Sequence, residues 1–125
     1  MVLELDLLPN VFAVCRLDPS AELPDATGSG AFWSVTRTAD ELSVICAEEG
    51  IPDGAVVEGG WRGLRVAGPL DFALTGVSAA LTVPLAAAGV SVLPIATFDT
   101  DYLFVREESL PRALAALLAA GHVVP

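Results

Sequence analysis

Residues 75–105 read TGVSAALTVPLAAAGVSVLPIATFDTDYLFV, and this stretch decides the fold. From Val77 the apolar residues recur at Leu81, Leu85 and Ala88, one helical turn apart on a single face. Thr75 suits the N-cap and Gly89 the residue just past the end, so the pattern predicts a helix over about 76–88. Pro84 falls inside it and is expected to bend it, because proline deletes a backbone donor. Val90–Ala96 is β-branched and predicts a strand, with Pro94 favouring an edge or a bulge. Thr97-Phe-Asp-Thr-Asp101 is rich in turn formers, and Tyr102–Val105 predicts a second strand that completes a hairpin.

Working outward, an apolar run from Trp61 ends at Gly68-Pro69. Beyond the hairpin, Ser109 is placed to cap a final helix with Pro111 in its first turn. Leu110, Leu114, Leu117 and Leu118 form its expected stripe and Gly121 its stop. Glu107-Glu108 stands at its start, where acids complement the helix dipole. The order strand, helix, strand, strand, helix predicts an α+β sandwich, with helices on one face of an antiparallel sheet. The N-terminal half carries a weaker copy. Val11–Leu17 predicts a strand ended by Asp18-Pro19, and residues 18–31, with Pro19, Pro24, Gly28 and Gly30, predict a loop or at most one helical turn. Phe32–Arg37 and Leu42–Ala47 flank the turn Thr38–Glu41 and predict a hairpin. Glu48–Gly54 reads as a loop where the second half has a helix. Two related units are expected, 1–60 and 61–125, the first stripped of its helices, sharing one sheet or packed face to face.

Composition narrows the function classes. The chain has 125 residues, 54% of them hydrophobic, and six Lys+Arg against sixteen Asp+Glu give a net charge of −10. A mean hydropathy of +0.64 excludes disorder. No run of about 18 uninterrupted apolar residues exists to span a bilayer, and the N-terminus lacks the basic start of a signal peptide. A cytoplasmic protein without a membrane role is expected. The six basic residues are scattered singly and all are Arg, which argues against nucleic acid. The absence of Lys removes Schiff-base chemistry and the lysine of a phosphate-binding loop. Two cysteines and one histidine cannot make a four-ligand zinc site without carboxylates, so no metal or cofactor is expected. His122 is terminal and no Ser or Cys sits in a nucleophile elbow, so catalysis is not expected either.

Three segments carry a resemblance: Phe32-Trp-Ser-Val-Thr-Arg-Thr-Ala-Asp-Glu-Leu-Ser-Val-Ile-Cys46, Gly60-Trp-Arg-Gly-Leu-Arg-Val-Ala-Gly-Pro-Leu70 and Thr97-Phe-Asp-Thr-Asp-Tyr102. Together they resemble the small tandem ACT-domain proteins of bacteria, which are similar to the CASTOR amino-acid sensors of animals. The resemblance implies two ferredoxin-like βαββαβ units in tandem, the first degenerate, pairing of ACT units in a homodimer, and regulatory binding of a free amino acid. It implies a pocket between ACT units, walled by Leu74, Thr75, Gly76, Val77 and Ser78 at a helix entry and by Thr97, Phe98 and Asp101 on the hairpin. A carboxylate at Asp101 would hold the ligand's amino group or side chain, and backbone groups near the helix start its carboxylate. An acid that the arginine sensor carries before this helix is apolar here, around Leu74, which favours an apolar or small polar amino acid.

The residues alone support the same chemistry. A zwitterion needs free N–H groups for its carboxylate, which a helix N-terminus supplies, and carboxylates for its ammonium. Thr75–Ser78 offers the first, with Gly76 allowing close approach. Asp99 and Asp101 offer the second, and a ferredoxin-like topology puts both at one end of the sheet. Blander roles remain open: Gly76 for helix–sheet packing, Asp99 and Asp101 for turn chemistry, Trp33 and Trp61 as core or interface anchors, and Cys15 and Cys46 as buried packing. His122 is expected on the surface. The competing function is a structural interaction module without a ligand, assembling through ACT-unit pairing.

Overall fold

The computed structural model describes residues 1–26 and 30–125, so the loop glycine Gly28 lies outside the described residues. The described elements are β1 (Leu5–Leu17), β2 (Ser34–Arg37), β3 (Leu42–Ala47), β4 (Val56–Val66), α1 (Val77–Ala87), β5 (Val92–Ala96), β6 (Asp101–Arg106) and α2 (Leu110–Ala119). Single 3-10 turns occupy Glu48–Gly50 and Glu107–Ser109. The chain forms two compact units, Met1–Leu8 with Arg62–Pro125, and Pro9–Trp61. The first eight residues therefore go with the C-terminal unit. Strands β1 and β4 are longer than the expected runs from Val11 and Trp61.

In the C-terminal unit the strand order is β1-β4-β6-β5. β5 and β6 pair antiparallel, with Ala96 opposite Asp101 and Pro94 opposite Leu103. β5 ends the order, so the N–H that Pro94 lacks leaves no gap in a ladder. Alternation along the strands turns Leu5, Leu64, Val66, Leu103 and Val105 into one core with Val77, Leu81 and Leu85 of α1 and Ala113 and Leu117 of α2. Both helices thus feed one apolar cluster. The stripe of α2 is Leu110, Ala113, Leu114 and Leu117, at helical spacing, while Leu118 is exposed.

The ends of α1 differ from each other in kind. Thr75 does not cap it: Gly76 takes the N-cap position in the left-handed region, φ 83°, with no side-chain cap bond. Ser109 likewise makes no cap bond to α2. Both C-termini are closed by glycine. Gly89 N–H donates to the Ala86 carbonyl and Val90 N–H to that of Leu85; Gly121 and His122 repeat this on Leu118 and Leu117. These are Schellman closures, which need the positive φ that Gly89 and Gly121 supply.

His122 is buried, contrary to expectation, and Pro84 is the reason. A proline in a helix strips the carbonyl four residues earlier of its donor, which here is Ala80. His122 Nε2 donates to that carbonyl at 2.8 Å, and its Nδ1 accepts the Leu3 N–H at 3.1 Å. Because a carbonyl only accepts and an amide N–H only donates, the ring is the neutral Nε2–H tautomer. Leu5 N–H to Val123 O and Val123 N–H to Leu3 O extend the contact into a short ladder.

The unit of residues 9–61 holds the β2–β3 hairpin, with Arg37 opposite Leu42, and β3 against β1. Thr38 closes the turn: its N–H donates to Glu41 O, and its hydroxyl accepts from Asp40 N–H and Glu41 N–H. Arg37 donates to the carbonyls of Pro19 and Ala21, tying the loop that leaves β1 to the hairpin. Cys15 and Cys46 are free thiols in a small core with Ala13 and Val44. Burial pushes the Cys46 thiol up to about 12, with Cys15 beside it adding to the effect, and burial raises Cys15 as well. Among the described residues no helix is long and apolar enough to cross a membrane.

Two outcomes follow from these contacts. His122→Ala leaves one buried and one half-buried backbone group without partners and should cost about 2–4 kcal/mol in denaturant unfolding. In a Pro84→Ala background, which returns an amide to Ala80 O, that cost should fall by roughly 1 kcal/mol. An unchanged cost would show that the ring does not serve the proline's orphaned carbonyl. The thiols have raised folded-state pKa values, so the stability they favour is full below their ordinary value near 9.0 and is lost as pH climbs toward about 12. Unfolding free energy measured across that window should decline, and Cys46→Ala should flatten the decline.

Candidate functional site

The site is built on the tip of the β5–β6 hairpin. Thr97 N–H and Thr97 Oγ1 both donate to Thr100 O at 2.9 Å, and Thr100 N–H returns to Thr97 Oγ1. Only Phe98 and Asp99 stand beyond this closure. Thr100 is 3% exposed, and its hydroxyl donates to Val66 O at 2.6 Å where β4 ends. Leu70 N–H donates to Asp99 O at 2.6 Å. Gly68 lets these segments meet: a Cβ there would sit 3.0 Å from Asp99 O and 3.1 Å from Thr100 Cβ. The loop leaving β4 is thereby fastened to the hairpin tip, and it then folds over itself. Asp71 Oδ1 accepts Ala73 N–H at 2.8 Å and Asp71 O accepts Leu74 N–H, which delivers the chain to Gly76 and α1.

A cavity of about 150 Å³ opens between these parts. Its walls include Leu74 and Val77 at the helix entry and Thr97, Phe98 and Asp101 on the hairpin. Five of the eight residues expected at a site therefore meet in one place. Leu70, Asp71, Phe72, Ala96, Asp99 and Thr100 complete it. Three carboxylates and no basic side chain line the cavity. Phe72 and Phe98 stack edge to face at 4.9 Å, although they are 74% and 79% exposed. Ser78 lies outside this cavity and borders a neighbouring one together with Asp101. Gly76 lines a separate shallow groove on α1, and Thr75 is exposed.

Sequence reasoning missed Asp71 and Phe72, since nothing in 69–73 has a period or a motif. The available signal was Gly68-Pro69 followed by an Asp-x-Ala turn, which marks a loop with its own hydrogen bonds. Trp61 is buried and Trp33 half-buried in the cores.

A family model described as the ACT domain matches residues 56–119, about half of the chain and the whole run from β4 to α2. The chain belongs to the ACT-domain family. A second model, for an N-terminal domain, matches residues 10–54, ahead of the ACT domain. The ACT chain is 33% identical over 90 residues to a Bos taurus protein named cytosolic arginine sensor for mTORC1 subunit 1; the match covers 63% of this chain and 27% of that protein's length. It is 29% identical over 93 residues to the Homo sapiens putative protein CASTOR3P, covering 57% of it. Among solved structures, a crystal structure of a protein from Agrobacterium tumefaciens superposes with a TM-score of 0.92 at 34% identity, covering 100% of this chain and 93% of that one. The ligand-free regulatory subunit of aspartate kinase from Thermus thermophilus superposes at 0.61 with 14% identity, over 90% of this chain and 93% of that one, and so shares the fold.

Proposed function

We propose that this ACT protein is a non-catalytic regulator that binds a small free amino acid, in a pocket completed by an ACT unit of a second copy. The supporting observation is the one cavity shared by the hairpin-tip carboxylates and the entry of α1. Asp71 is already engaged by Ala73 N–H, which leaves Asp99 and Asp101 for an ammonium group. The start of α1 has no side-chain cap, so amides near Val77 and Ser78 are donors available to a carboxylate, reinforced by the helix dipole. A relative named as a cytosolic arginine sensor supports a sensing role and a cytoplasmic location.

Residues 1–60 are, in this proposal, a degenerate copy of residues 61–125. In support, the two hairpins share local chemistry. Thr38 and Thr97 each close a turn by donating an N–H at 2.9 Å to the carbonyl three residues on. Each second strand runs into a 3-10 turn opening on two glutamates, Glu48-Glu49 and Glu107-Glu108. At the place of Asp101 the first copy has Leu42, fully buried. The first copy therefore lacks the Asp101 carboxylate although Asp40 stands at the place of Asp99, and one site per chain is expected.

Isothermal titration against the twenty amino acids tests this. At least one should bind with about one site per chain and raise the melting temperature by a few degrees at saturation. Asp101→Ala should weaken that affinity tenfold or more, since a hydrogen bond to a charged group is worth about 1.5–3 kcal/mol. Undiminished affinity in Asp101→Ala would remove the ammonium assignment, and silence from all twenty would leave a ligand-free assembly module.

A further inference from the structure

Asp101 borders two cavities. Besides the polar one at the hairpin tip, a cavity of about 250 Å³ lies between α1 and the hairpin strands, and the two share Ala96 and Asp101. Its remaining walls are Ser78, Leu81, Pro94, Ile95 and Leu103, so Asp101 is the one charged residue on it. Leu81 and Leu103 are core residues, and Pro94 and Ala96 share the α1-facing side of the hairpin with Leu103 and Asp101, while Ile95 borders the cavity from its backbone. Pro94 has no N–H to offer a polar group, and Thr82 Oγ1 already donates to Ser78 O.

We infer that the side chain of the bound ligand enters this second cavity, and that the ligand is an aliphatic amino acid of about leucine size. The inference rests on the amino-acid-binding role proposed above. An ammonium held by Asp101 sits where the two cavities join, with carboxylates on one side and aliphatic walls on the other. The carboxylate of the ligand belongs with the amides at the start of α1, where Val77 lines the polar cavity and Ser78 the apolar one. The side chain then has the apolar cavity to fill. A guanidinium or a carboxylate there would exchange water for aliphatic walls and lose free energy unless paired. Each buried methylene strengthens binding by about fourfold, so leucine should exceed alanine by an order of magnitude or more.

Calorimetry on the full chain with L-leucine, L-alanine, glycine and L-arginine decides it. Leucine should bind at least tenfold tighter than alanine, and arginine no tighter than alanine. Pro94→Phe, opposite Leu103 and on the face of the edge strand that turns toward α1, fills the cavity from β5 and should bring the leucine-to-alanine ratio to within about threefold. Ser78→Leu, at an exposed position, should do the same from the helix side, with circular dichroism confirming that both variants fold. Alanine, glycine or arginine binding as tightly as leucine would overturn the inference while leaving the binding role intact. So would a leucine preference that survives both variants. No binding by any of the four overturns the aliphatic assignment, and the twenty-member titration then tells whether the binding role falls with it.

Discussion

The Thr100 hydroxyl, donating to Val66 O at 2.6 Å from a position closed to solvent, is the contact on which the site depends. It joins the end of β4 to the turn of the β5–β6 hairpin, two segments far apart in sequence. With Leu70 N–H on Asp99 O it makes a two-point attachment, and Gly68 keeps the space between them clear. A single hydrogen bond of this kind contributes about 1 kcal/mol net, but leaving Val66 O unpaired in the interior would cost more than that. The consequence is positional. The loop is held at the hairpin, α1 begins where that loop releases it, and three carboxylates and a helix entry end up around one cavity.

A second constraint acts at the far side of α1. Pro84 leaves Ala80 without a helical donor, and His122 supplies one while its other nitrogen receives the Leu3 N–H. Both termini of the chain are thereby recruited to repair a defect in the middle of a helix. This explains how α1 runs from Val77 to Ala87 with a proline inside it. It also accounts for the burial of the one histidine.

What was legible in the sequence was periodic or punctuated. The stripe Val77, Leu81, Leu85 and the glycines after each helix specify α1 and α2, because helical spacing and left-handed stop residues are local properties. The hairpins were legible for the same reason: Thr38–Glu41 and Thr97–Thr100 carry their own closing bonds. The errors were tertiary. Thr75 is a good N-cap in isolation, yet the loop from Asp71 delivers Gly76 there instead. Leu118 fits the apolar spacing as well as Ala113, but the core needs a small residue at 113 and leaves 118 exposed. His122 looked like a frayed terminus because its partners, Leu3 and Ala80, lie 119 and 42 positions away. Of the site, the carboxylates and the helix entry were visible as chemistry, whereas Asp71 and Phe72 came only with the loop.

The central claim is that the start of α1 and the hairpin tip act together on one ligand. Amide-resolved nuclear magnetic resonance of the full chain titrated with L-leucine tests it most directly. Shift changes should concentrate at Val77, Ser78 and residues 96–101 and saturate together along one isotherm. Changes confined to residues 9–61, or separate isotherms for the helix entry and the hairpin, would contradict it.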